Sequence, residues 1–134
     1  MARFSKRMGL DFATEGIPYE EDVPFAQRAH WSYTGFHYFR MRLAEAIGIN
    51  LDSMEYFKEE GESWDAYKHH PLYAFLVHED CEGDLSPQEC ARIAPIIEGI
   101  VSDWLTSDYD RIHAMRLVKH MRYCARTGRR LQFR

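Results

Sequence analysis

Six residues recur at the spacing a hard cation needs: His78, Asp80, Glu82, Asp84, Ser86 and Glu89. Counted from His78 they fall at positions 1, 3, 5, 7, 9 and 12 of a twelve-residue stretch. A calcium loop gathers its oxygen ligands from these positions, using the backbone carbonyl at position 7. Gly83 falls at position 6, where such a loop turns sharply, and Leu85 at the apolar position 8. Other features pull against an ion. The imidazole of His78 is a poor ligand for hard calcium. Glu82 is longer than the Asp or Asn usual at position 5. Glu89 has a competing task, because three residues into a helix starting at Pro87 its carboxylate accepts the backbone N–H of Ser86. The loop therefore reads either as a calcium site or as a capped turn that needs no ion. Zinc ranks below calcium. His78, Cys81 and Cys90 are soft ligands, but a structural zinc site takes four, and the fourth must come from His69, His70 or a carboxylate. Cys90 also lies on an apolar helix face, where a thiol is usually a small core residue.

The second group with chemical potential is aromatic. Trp31, Tyr33, His37 and Arg40 lie in the densest aromatic segment of the chain. Tyr33, His37 and Arg40 recur at i, i+4 and i+7, so a helix brings them near one another. An aromatic ring beside Arg and His stacks a nucleobase and pairs a phosphate. Gly35 lets a ligand approach the backbone, and the helix N-terminus favours anions. The simpler reading is that these half-polar rings seal the edge of a core, and it is the favoured one. No nucleophile–base pair is legible. His69-His70 is suited to metal binding or acid–base work, but adjacent loop histidines are usually surface residues. There is no glycine-rich phosphate loop, no H-E-x-x-H and no C-x-x-C.

The elements that must position these residues are mostly helical. Residues 1–29, broken by Gly16, Pro18 and Pro24, read as an extended arm in which Leu10 and Phe12 alternate as a short strand. A helix over 33–47 is capped by Ser32, carries Phe36, Phe39, Leu43 and Ile47 on one face, and ends at Gly48. A short helix over 53–57 follows, capped by Asp52, then another over 72–77. The clearest helix starts at Ser86-Pro87-Gln88-Glu89, a capping box with proline at the first turn. Its apolar face is Cys90, Ile93, Ala94, Ile97, Val101 and Trp104, and Pro95 should kink it. A last helix over 110–126 buries Ile112, Met115, Val118, Met121 and Ala125 and stops at Gly128. Leu131 and Phe133 then alternate and are placed to pair with the Leu10–Phe12 segment. The expected fold is a mostly α, compact single domain over 1–134. It has four to five helices, an EF-hand-like helix–loop–helix over 72–105, and a short two-stranded pairing of the termini as an optional addition. EF-hands generally occur in pairs, and no second loop is present.

Bulk properties narrow the class. At 134 residues the chain is long enough for one self-sufficient core. Its 17 Lys and Arg against 21 Asp and Glu give a net charge of −4, which disfavours a general nucleic-acid binder. The basic residues gather at the end: Arg111, Arg116, Lys119, Arg122, Arg126, Arg129, Arg130 and Arg134. They read as a solvated helix face and not a phosphate patch, since aromatics are not interleaved. No stretch has the ~20 apolar residues of a membrane span. The three cysteines are odd in number, and no apolar run of signal length follows the basic start. A cytoplasmic protein with free thiols is the expectation.

Two stretches carry a family likeness. Residues 31–40 with Leu43-Ala44, and residues 78–91, together with the Leu131-Gln132-Phe133 ending, resemble a family of small, uncharacterised bacterial and phage proteins. The resemblance implies no reaction and no catalytic residues. It implies that His78 is a usual occupant of its position, which favours the structural reading of the loop. It also leaves room for a host-directed binding role. The functional expectation is a non-enzymatic binding or regulatory protein whose acidic loop is offered to a divalent cation. The first alternative is a small-ligand binder or sponge, for a nucleotide or signal molecule, using Trp31, Tyr33, His37 and Arg40. The second is a metal-dependent enzyme.

Overall fold

The computed structural model describes residues 9–80 and 82–134, Phe25 by its backbone alone. Short strands with alternating burial build one sheet. In β1 (Gly9–Thr14), Leu10, Phe12 and Thr14 are buried while Asp11 and Ala13 are not, the period of two of a strand covered on one face. β2 (His30–Ser32) pairs with β1, setting Leu10 opposite Trp31. β4 (Leu131–Phe133) pairs with the outer half of β1, setting Phe12 opposite Phe133 and Thr14 opposite Leu131. β3 (Asp84–Leu85) adds to β4, with Leu85 opposite Leu131. The sheet is antiparallel throughout, in the order β2-β1-β4-β3.

Four α-helices occur among the described residues: α1 (Tyr33–Ala46), α2 (Tyr73–Leu76), α3 (Pro87–Val101) and α4 (Tyr109–Thr127). Local signals set their ends. Ser32 Oγ accepts the Gly35 N–H at 2.9 Å and starts α1. At α3 the Ser86 hydroxyl accepts the Glu89 N–H at 3.0 Å while the Glu89 carboxylate accepts the Ser86 N–H at 2.8 Å. Asp108 accepts the N–H groups of Asp110 and Arg111 at the start of α4, and Gly128, at φ 69°, closes it in the left-handed conformation. α3 and α4 make the largest helix–helix contact, burying Ile93, Ile97 and Val101 on one side and Leu117, Val118 and Met121 on the other. Aromatic rings knit helices to sheet: Trp31 stacks on Phe39 at 4.6 Å, and Phe12 meets Phe133 edge-on at 5.0 Å.

This architecture corrects the mostly α expectation. The fold is mixed α/β, and the pairing of the Leu10–Phe12 and Leu131–Phe133 segments is the central ladder of a four-stranded sheet. The expected helix over 53–57 is replaced by a 3-10 turn at Leu51–Ser53 and further turns. The helix expected over 72–77 is the single turn of α2. Hence no long helix enters the 78–89 loop, and β3 forms inside it, so the helix–loop–helix over 72–105 is not realised. The short strand expected at Leu10 and Phe12 is present in the N-terminal segment. Its residues 9–14 are an interior strand, and residues 15–29 are tied down by Asp22 and by Arg28. The Arg28 guanidinium donates to the carbonyls of Tyr19 and Val23 and lies 4.1 Å above the Tyr19 ring. Residues 1–8 and Cys81 lie outside the described residues. No helix among the described residues is long and apolar enough to cross a membrane.

Candidate functional site

The acidic loop is built from groups that already have protein partners. Both ring nitrogens of His78 face carbonyl oxygens, Nδ1 that of Glu79 at 2.7 Å and Nε2 that of Asp84 at 2.9 Å, and whichever nitrogen carries the proton donates to its carbonyl. The ring stacks on Phe133 at 3.9 Å and lies over Gly83, which has φ 87°. Asp84 pairs with Arg130 at 2.8 Å. Ser86 and Glu89 are the capping box of α3. Asp80 lies near enough to Arg40 to favour its charge, and Glu82 is exposed. Among the described residues no three His, Cys, Asp or Glu side chains gather where one ion would be held. Cys90 is buried, and burial pushes its thiol up to about 12, which keeps it protonated. His69 is exposed, and His70 Nδ1 accepts the Leu72 N–H at 3.1 Å.

Each member of the aromatic quartet is engaged within the protein. Trp31 is 1% exposed, and its indole N–H donates to Asp110 at 2.9 Å. Tyr33 packs against the core edge, and His37 pairs with Asp52 at 2.8 Å. Arg40, 5% exposed, turns inward beneath the end of α2. One guanidinium nitrogen donates to the carbonyls of Phe75, Leu76 and His78, while Nε has no partner. Burial pushes its pKa down to about 10 against the favourable charges of Asp80 and Glu79. The helix does carry Tyr33, His37 and Arg40 at i, i+4 and i+7, but burial of Arg40, and of Trp31 before the helix, leaves neither side chain open to solvent.

A cleft that the sequence did not announce lies along α4. It measures about 480 Å³ and runs between α4, the segment around Val23 and Pro24, and Glu98 of α3. Its walls are apolar, from Val23, Pro24, Met115, Val118 and the Tyr123 ring. Its rim carries four cations, Arg116, Lys119, Arg122 and Arg126, against the single carboxylate of Glu98. Arg122 is held by Glu98 at 2.7 Å, and Arg116 donates to the Arg28 carbonyl at 3.3 Å. Lys119 and Arg126 have no acidic partner within 4.0 Å among the described residues. His120, 4% exposed, lines the cleft from beneath.

The signal for this site was present in the sequence. Arg116, Lys119, Tyr123 and Arg126 recur at three- and four-residue intervals and so share one helix face. The basic run was read as free of aromatics, whereas Tyr123 lies within it and lines the cleft. Fold and site together define a small α/β domain with a cationic, apolar-walled cleft on its last helix. Comparison with protein-family models, with curated proteins and with solved structures gives no match.

Proposed function

We propose that the protein is a non-enzymatic binder of a small organic anion, held in the cleft along α4. The observation that carries this reading is the ring of four cations and one carboxylate around a cleft of about 480 Å³ with apolar walls. That volume falls within the roughly 300–1,000 Å³ typical of small-molecule sites. The walls suit an aromatic or aliphatic body, and the guanidinium groups suit a carboxylate or phosphate, which they grip with paired N–H donors. Two free, buried thiols, Cys90 and Cys124, support a reducing, cytoplasmic setting.

Isothermal titration and thermal melting with benzoate and phenyl phosphate test the reading. Saturable heat, a rise in Tm and weakening with added salt are the expected results. The double variant Lys119→Gln/Arg126→Gln should weaken binding about tenfold or more, the equivalent of ~1.4 kcal/mol. Absence of heat and of any Tm change at millimolar concentrations of both probes removes the proposal.

A further inference from the structure

We infer that His120 presents the bare lone pair of Nδ1 to this cleft, locked in that tautomer by Thr14 and Asp22, so that the site selects anions that also carry an O–H or N–H donor. The inference rests on the cleft being a ligand site.

The proton positions follow from counting donors. The Asp22 carboxylate accepts three hydrogen bonds: the Thr14 N–H at 2.8 Å, the Val23 N–H at 2.8 Å and the Thr14 hydroxyl at 2.8 Å. An ionised carboxylate is an acceptor only. Burial alone would raise the Asp22 pKa, but these hydrogen bonds, with His120 nearby, hold it below the usual carboxylate range. Thr14 has a single hydroxyl proton, and Asp22 takes it. Toward His120 Nε2, 2.7 Å away, the Thr14 oxygen is therefore left as an acceptor. Nε2 must carry the hydrogen.

Burial lowers the His120 pKa, the Asp22 carboxylate 3.9 Å away opposes the shift, and Arg28 adds to it. The ring is thus neutral, with its one proton on Nε2 and a lone pair on Nδ1. Nδ1 makes no hydrogen bond within the described residues. It is also not sealed, because Arg40 Nε is the one sealed and partnerless side-chain nitrogen or oxygen among them. His120 lines the cleft, and that is the opening to which we assign Nδ1. A cationic rim with an acceptor beneath it is complementary to a hydroxylated or N–H-bearing anion, and a plain anion leaves the acceptor unpaired.

Two measurements decide the matter. Long-range proton–nitrogen NMR of the ligand-free protein at pH 7.5 should find His120 protonated at Nε2 and bare at Nδ1. A proton on Nδ1, or on both nitrogens, overturns the inference. Titration then compares 2-, 3- and 4-hydroxybenzoate with the three matching methoxybenzoates and with benzoate. At least one hydroxy isomer should bind about tenfold tighter than its ether and than benzoate. That ratio should collapse to about one in His120→Met, which fills the space without an amide or ring acceptor, while Thr14 keeps its bond to Asp22. Equal binding of every hydroxy acid and its ether defeats the selection while the cleft reading stands. Failure of all seven acids to bind defeats both.

Discussion

At the scale of single residues, position in space, not chemical type, decides what each side chain does. Arg40 has the chemistry of a phosphate ligand, yet it serves as an internal cap for α2. Arg40→Met removes the donor from three carbonyls and should cost about 2 kcal/mol in chemical denaturation, with benzoate affinity unchanged. The sequence leaves a ligand role open as an alternative because a helical wheel knows neighbours on one helix and nothing of a carbonyl cluster 35 residues or more away. The same gap hid His120. Its partners Thr14 and Asp22 stand about a hundred positions earlier, and no local pattern ties them to it. The capping role of Ser86 and Glu89, by contrast, is confined to four consecutive residues and was legible in full.

At the scale of elements, helices with strong termini are legible, and so are β1 and β4, whose apolar residues alternate, while β2 and β3 are not. Ser32, Ser86 and Gly128 sit where their side-chain or backbone preferences put them. β3 has two residues, too few for a period to show, β2 runs straight into the first helix, and both exist because β4 and β1 supply their hydrogen bonds. Of the stripe expected on α4, Val118 and Met121 are buried and Met115 and Ala125 pack partly buried against the core, but Ile112 is exposed, and the buried face widens to Ala114, Leu117 and Cys124. Two glycines test how these elements are held. Gly99 is exposed within α3 with open space where a Cβ would go, so Gly99→Ala should add about 1 kcal/mol of stability. Gly83 has φ 87°, and a Cβ there would meet the His78 ring at 3.1 Å. Gly83→Ala should therefore cost roughly 1–2 kcal/mol. Urea unfolding of both variants reads the two signs side by side.

At the scale of the whole molecule, burial of neutral histidine makes stability depend on pH. Burial lowers the pKa of His120, and also of His113, where Arg116 and His30 add to the shift and Asp110 opposes it. Below the ordinary histidine value of about 6.5 the unfolded chain takes up protons that the native chain refuses, so stability falls as pH drops. Asp22 acts in the same direction at lower pH. Its stabilisation is present above the ordinary carboxylate value and is lost as pH falls through its depressed native value. Tm should decline steadily from pH 7.5 to 5, and His120→Gln should flatten part of that decline, measured by calorimetry across buffers. The strand order has a consequence for synthesis. Among the described residues β4 follows every other strand and helix in the chain, yet it lies between β1 and β3. While a ribosome is still extending the chain, β3 has no neighbour to join and one flank of β1 stays open. The helices can fold as they emerge, but the sheet must wait for residues 131–133, and until then the growing chain exposes an unpaired edge for chaperones to shield.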